Sequence, residues 1–245
     1  MGKSILKTVK LSKSYGIAQI LNDINFNMNQ GDYVAVMGPS GAGKSTFMHM
    51  ISGMDRPTSG QVYIGENELA GMNDKETADL RLKKIGMVFQ QPSLLPTLNL
   101  IDNIMLPAYL LHEEPAVIIY ERAVKLLTLF GMADKEKASV NTLSGGQMQR
   151  GCIARALINN PSMLFADEPT GALNSSATNQ ILQVLKTVNN NGTAILMVTH
   201  DIKVAAKAKK IVYFFDGTIK EQFIFEKDIK QSDREKYIMD LIERF

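Results

Sequence analysis

Two glycine-rich turns in this chain each lead into a helical stretch. The first is Gly38-Pro39-Ser40-Gly41-Ala42-Gly43-Lys44-Ser45, followed by Thr46; the second is Leu143-Ser144-Gly145-Gly146-Gln147, which opens Met148 to Ile158. A turn of this kind presents unpaired backbone N–H groups to an anion. In the first, the glycines let the backbone approach phosphates closely. Lys44 would reach the β- and γ-phosphates of a nucleotide, and the Ser45 hydroxyl would ligate Mg²⁺. That loop alone can cradle one nucleoside triphosphate. The second grip then needs either another nucleotide or a second copy of the chain pressing it against the first nucleotide.

A third constellation is acidic. Met163 to Ala166 is an apolar run that ends in Asp167 and Glu168. Carboxylates at the C-terminal edge of a parallel strand lie where ligands bind in such sheets. Asp167 would hold Mg²⁺ through water, and Glu168 would polarise an attacking water as general base. Gln90 follows the run Ile85 to Phe89, and His200 follows Ala194 to Val198. A lone Gln or His at a strand end is usually structural, so their weight comes from their order relative to the other motifs.

Strands and helices must position these groups. Ile24, Phe26 and Met28 alternate with Asn25 and Asn27, the period of a half-buried antiparallel strand. Tyr33 to Met37 is continuously apolar up to the glycine loop, as a buried parallel strand should be. A helix follows from Lys44 to about Ser52. Further strands are expected at Gln61–Ile64, Ile85–Phe89, Met163–Ala166, Ala194–Val198 and Ile211–Phe214, with helices between the later ones. That alternation predicts an α/β fold with a parallel sheet. From Asn103 to Gly131 the pattern is helical, with Pro107 and Pro115 expected to break it. Residues 92–158 carry no strand pattern and read as a helical insert. In the tail, Ser232 and Glu235 have capping-box spacing, and Tyr237, Ile238, Leu241, Ile242 and Phe245 share one helical face that should pack on the core.

Composition excludes several classes. The 245 residues suit one sizeable α/β domain, and 27 basic against 25 acidic residues give no field for nucleic acid. One cysteine, Cys152, fits a reducing compartment and reads as a small core residue. No apolar run approaches the roughly 20 residues of a membrane helix. The first strand pattern starts near Ile5, which leaves no room for a signal peptide. A cytoplasmic chain is expected, with any membrane part supplied by another polypeptide.

These motifs, in this order over residues 5 to 221, resemble those of ATP-binding-cassette (ABC) ATPases. The resemblance implies a P-loop NTPase (RecA-like) parallel-sheet core with an N-terminal antiparallel β subdomain and a helical subdomain. Residues 1–91 and 159–221 would form the β and core parts, 92–158 the helical part, and 222–245 a C-terminal strand and amphipathic helix. It implies ATP and Mg²⁺ as ligands, with Gln90 sensing Mg²⁺ and the γ-phosphate, His200 contacting the γ-phosphate, and Tyr15 stacking on adenine. It also implies that Ser144, Gly145, Gly146 and Gln147 close over the nucleotide of a second copy. Phe89-Gln90-Gln91-Pro92-Ser93-Leu94-Leu95-Pro96-Thr97-Leu98, with Asp102 to Pro107 and Asp167-Glu168-Pro169-Thr170-Gly171-Ala172-Leu173, looks like one group. That group contains macrolide exporters, lipoprotein-releasing complexes and bacitracin-type peptide-resistance transporters. It implies a homodimer through ATP at the cytoplasmic face of the membrane, driving a permease that exports or removes antimicrobial peptides or related amphiphiles. The alternatives are a division-type signalling ATPase acting on a cell-wall hydrolase regulator, or a lipoprotein-releasing ATPase. One position departs: the aspartate that follows Gly-Ala-Leu in the family is here Asn174.

Overall fold

The computed structural model describes residues 3–226 and 228–245. In chain order the strands are β1 (Ser4–Tyr15), β2 (Ala18–Asn29), β3 (Tyr33–Met37), β4 (Ser59–Ile64), β5 (Asn67–Glu68), β6 (Ile85–Val88), β7 (Met163–Asp167), β8 (Ala194–Val198), β9 (Lys210–Phe215) and β10 (Thr218–Ile224). The helices are α1 (Lys44–Ile51), α2 (Asp74–Lys84), α3 (Leu100–Leu111), α4 (Ala116–Leu129), α5 (Gly145–Leu157), α6 (Ser175–Asn190), α7 (Ile202–Ala205) and α8 (Gln231–Glu243). The chain divides into two units, Met1–Thr77 with Ala194–Phe245, and Ala78–Thr193.

In the first unit β2, β1, β4 and β5 form an antiparallel sheet. The alternation along β2 is that of a strand with one wet face: Ile24, Phe26 and Met28 are buried, and Asn25 and Asn27 are exposed. The second sheet of this unit runs β10-β9-β3-β8, with β9 and β8 parallel to β3. Every residue of β3 and β8 is buried, which is why both read as unbroken apolar runs. Helix α1 is fastened by Phe47, whose ring lies edge-on to Phe26 at 5.5 Å and 5.1 Å from Phe214. That packing anchors the helix that the glycine loop enters. The tail packs only in part as expected: Ile238 and Leu241 are buried and Tyr237 stacks on Phe223 at 4.1 Å, but Ile242 is exposed, and Phe245 stacks on Tyr213 while keeping much of its surface in solvent. The expected Ser232–Glu235 capping box does not form. α8 starts two residues earlier, with Lys230 at its N-cap, and Glu235 instead accepts from the Gln231 side chain at 2.7 Å.

In the second unit β6 and β7 pair in parallel, and α3, α4 and α5 pack on one another. Among the described residues, 92–158 hold no strand longer than an isolated bridge, Asn99 to Ser139. Pro115 does interrupt the helical pattern, as the N-cap of α4. Pro107 does not; it sits inside α3, which continues to a left-handed His112. The helix is anchored upstream by Asn103, a fully buried amide whose Nδ2 donates to the carbonyls of Leu95, Leu98 and Asn99. Those bonds fix the preceding turn, so one missing N–H downstream does not end the helix.

Candidate functional site: two phosphate grips and a carboxylate edge

The glycine loop needs its glycines for different reasons. A Cβ on Gly38 would lie 2.1 Å from the Phe214 carbonyl oxygen, and one on Gly43 would lie 2.8 Å from Leu21 and 2.9 Å from the Ile20 carbonyl. Gly41 faces open space, but its φ of +80° suits glycine alone. Helix α1 then starts with no side-chain cap and no acidic residue in its first turn. A helix start with neither feature suits an anion. The Lys44 ammonium arches back to donate to the carbonyls of Gly38 at 2.8 Å and Pro39 at 2.7 Å. It is thus held over the loop, and the cradle fits a polyphosphate.

Strand register brings His200 to the same edge. Val36 of β3 pairs with Val198 of β8, so Gly38 and His200 each lie two residues beyond a paired position on neighbouring strands. Asp201 fixes the departing chain by capping α7, its Oδ1 accepting from the N–H groups of Lys203 and Val204. Tyr15 stands at the end of β1 and is about half exposed. Its hydroxyl donates to Asp55 at 2.6 Å, and the Lys13 ammonium, 2.8 Å from the same carboxylate, lies 4.7 Å from the ring centroid. A ring pinned in this way can serve as a stacking platform. Sequence reading missed Lys13 and Asp55, because nothing local links residues that only β1 brings beside the end of α1.

The Lys13 hydrogen bond, and then that of Tyr15, hold the Asp55 carboxyl down at about 2. A depressed folded-state value stabilises the fold above the ordinary carboxylate value of 3.8, and the contribution is lost as pH falls toward 2. The Asp55 side chain is about a third exposed, so solvent screens the pair, and Asp55→Asn should cost at most about 1 kcal/mol at neutral pH, less than the shift alone would give. The difference in Tm from the parent should close as the pH is lowered through that window; a constant difference would mean that the cost is packing.

The second unit repeats the register. Val88 of β6 pairs with Ala166 of β7, so Gln90 and Glu168 again sit two residues beyond a pair, and Gln90 Nε2 lies 3.5 Å from Glu168 Oε2. Asp167 ends β7. Glu168 has a φ of +42°, a strained backbone for a side chain of that size. Gly171 donates its N–H to the Glu168 carbonyl, and a Cβ there would press on Glu168 Oε2 and Gln90 Nε2 at 3.3 and 3.4 Å. The carboxylate edge is thus kept open by a glycine. Ser45, Gln90 and Asp167, the residues expected to hold Mg²⁺, each carry an oxygen donor, the chemistry that ion prefers. Among the described residues no cluster of three or more His, Cys, Asp or Glu could hold a metal ion unaided.

The second grip is a capped helix start. Ser144 Oγ accepts from the Gln147 N–H, and Gln147 Oε1 accepts from the Ser144 N–H at 2.8 Å. This reciprocal cap fixes the turn and leaves the glycine pair at the tip. A Cβ on Gly146 would come within 3.2 Å of Ala177, so the turn abuts the start of α6. Asn174 caps that helix, its Oδ1 accepting from the Ala177 N–H at 2.9 Å. From α5, Gln149 donates to the Phe89 carbonyl and Arg155 to both Ser93 oxygens, which ties the second grip to the segment after Gln90. Cys152 is buried in the same helix, and burial pushes its thiol up, away from reactivity.

A parallel α/β sheet with a glycine loop between strand and helix, and acids at a strand's carboxyl end, defines a P-loop nucleoside triphosphatase. The family model described as ABC transporter matches residues 21–171. The chain belongs to that family, and it is an ABC transporter ATPase subunit that binds and hydrolyses ATP. It is 41% identical over 225 residues to the uncharacterized ABC transporter ATP-binding protein MJ0796 of Methanocaldococcus jannaschii, spanning 90% of this chain and 94% of that one. It is 39% identical to the lipoprotein-releasing system ATP-binding protein LolD of Leptospira interrogans, over 92% of this chain and 96% of that one. A solved dimeric, post-hydrolysis form of the ATP-binding cassette MJ0796, bound to ADP and Pi, superposes with a TM-score of 0.84. That match is 36% identical and covers 91% of this chain and 99% of the other. Against the macrolide export ATP-binding/permease protein MacB of Bdellovibrio bacteriovorus, identity is 40% over 85% of this chain, but only 32% of the longer relative is covered.

Proposed function

We propose that this chain dimerises on ATP and drives a separate membrane permease that exports or removes antimicrobial peptides or related amphiphiles. The observation supporting this reading is that the described residues include two glycine-rich helix starts, at α1 and α5, of which the Gly38–Ser45 loop alone has the form of a triphosphate cradle. In this reading Gly38 to Thr46 hold the triphosphate, Lys44 contributes charge, and Tyr15 stacks on adenine. Ser45, Gln90 and Asp167 would hold Mg²⁺, which when bound neutralises charge on the phosphates. Glu168 takes the proton of the attacking water, with His200 directed to the γ-phosphate. Ser144, Gly145, Gly146 and Gln147 of one copy close on the nucleotide of the other. Residues 92–158 serve as the helical subdomain, with Gln90 to Pro107 receiving the permease.

No described helix is long and apolar enough to cross a membrane; attachment at the cytoplasmic face would come through the permease. The similarity to LolD favours a second reading, lipoprotein release, with equal weight. Deleting the gene separates the two. Hypersensitivity to antimicrobial peptides supports the first, retention of lipoproteins in the inner membrane supports the second, and misdivided cells with neither effect would overturn both.

Asn174→Asp should raise steady-state ATP turnover of the permease complex several-fold, on the order of 1 kcal/mol in barrier. Aspartate caps α6 as well as asparagine does, and its charge suits a helix N-terminus, so the fold should be unharmed. The gain would come from orienting the facing loop and the water, the positioning on which phosphoryl transfer depends. An unchanged or lower rate at unchanged ATP affinity would leave Asn174 as a helix cap alone.

A further inference from the structure

Residues two apart in a strand share a face, and at the end of β1 those residues are Lys13 and Tyr15. One carboxylate oxygen joins them: Asp55 Oδ2 accepts from the Tyr15 hydroxyl at 2.6 Å and from the Lys13 ammonium at 2.8 Å. The same ammonium donates to the Arg56 carbonyl at 2.7 Å and lies 4.7 Å from the centre of the Tyr15 ring. The backbone between them is fixed as well, the Ser14 N–H donating to Thr58 Oγ1 and the Thr58 N–H to the Ser12 carbonyl. The ring is therefore keyed to the turn that leaves α1, the helix that the glycine loop enters.

Lys13 is 8% exposed and Tyr15 51%. The buried ammonium covers one face of the ring, so the surface left to a ligand is the other face and the edge. A cation over one face draws the ring's π density toward itself, and the opposite face becomes less negative. Repulsion between stacked π faces falls accordingly, and a flat, electron-rich purine gains most. A ring held by its hydroxyl and backed by a cation also has little rotamer freedom left to lose on binding. We propose that Lys13 is a positioning residue for the nucleotide base: from behind the ring it holds and polarises Tyr15, and so raises affinity for adenine. This role rests on the reading of Tyr15 as the residue that stacks on the base.

The test compares ATP with inorganic tripolyphosphate, which has the phosphates and no base, on the full chain at concentrations too dilute for dimerisation. Lys13→Met should weaken ATP binding about fivefold, the value of one ordinary cation–π contact, and leave tripolyphosphate within about twofold. Lys13→Arg, which keeps a cation behind the ring, should hold ATP within about twofold of the parent. Asp55→Ala releases ring and ammonium together and should show the same selective loss, which covers a Lys13→Met chain too unstable to titrate. In a Tyr15→Ala background Lys13→Met should cost ATP nothing further, because the lysine acts through the ring. A merely structural lysine would weaken both ligands alike. Equal loss for both ligands, additive losses in the double variant, or no loss in Lys13→Met would overturn the role of Lys13. Tyr15→Ala alone separates that outcome from failure of the stacking reading. If it spares ATP, the role of Tyr15 fails too; if it weakens ATP while Lys13→Met does not, only the role of Lys13 falls.

Discussion

Glu168→Gln is expected to lower ATP turnover by about 10²- to 10⁴-fold, the usual contribution of a positioned general base. ATP binding should be untouched, so the ATP-loaded chain should accumulate as a dimer. The amide has the shape of the carboxylate but cannot take a proton. Its oxygen can still face Gln90 Nε2, now 3.5 Å from Glu168 Oε2. The +42° φ at this position is borne equally by Glu and Gln, so the substitution adds no backbone strain. Gly171 leaves room for either side chain. Size-exclusion chromatography with ATP and Mg²⁺ would show the dimer peak. A variant that stays monomeric at saturating ATP would sink the composite-site reading.

The chemistry was legible where residue type alone dictates conformation. Gly38, Gly41 and Gly43 announce a loop of positive φ, and the full burial of β3 and β8 is written as continuous apolar runs. The two-residue overhang that sets Gly38 and His200 at one sheet edge, and Gln90 beside Glu168, depends on strand register, which no single strand's sequence carries. Irregular strands were harder. β1 shifts register at Thr8/Leu11 and at Leu11/Lys13, with Lys10 at φ +46°, so its burial pattern loses period two and Lys13 turns inward to meet Asp55. Helix α2 was missed although Asn73 and Glu76 cap each other reciprocally, because only Thr77 is buried and no apolar stripe follows. Pro107 misled for the opposite reason. The local rule was right in kind, but the Asn103 side chain holds the preceding turn in place.

Lys44→Ala and Ser144→Arg should both abolish turnover, by routes that one measurement separates. Lys44 brings an ammonium to the loop, where Gly38 and Pro39 already hold it. Its loss removes charged hydrogen bonds to the nucleotide worth about 1.5–3 kcal/mol, so monomer affinity for ATP should fall roughly 10- to 100-fold. Ser144 lies in the second unit, at the capped tip of α5. An arginine there gives up the cap, at a cost of about 1 kcal/mol of stability, and places a bulky side chain where a partner's phosphates would sit. The chain should still fold, with a modestly lower Tm, and should bind ATP as a monomer with affinity within about twofold of the parent. It should fail to dimerise even when combined with Glu168→Gln. Titrating ATP into each variant at concentrations too dilute for dimerisation decides the matter. Equal weakening in both would mean that the two grips hold one nucleotide within a single chain, and the second copy would then have no role in the site.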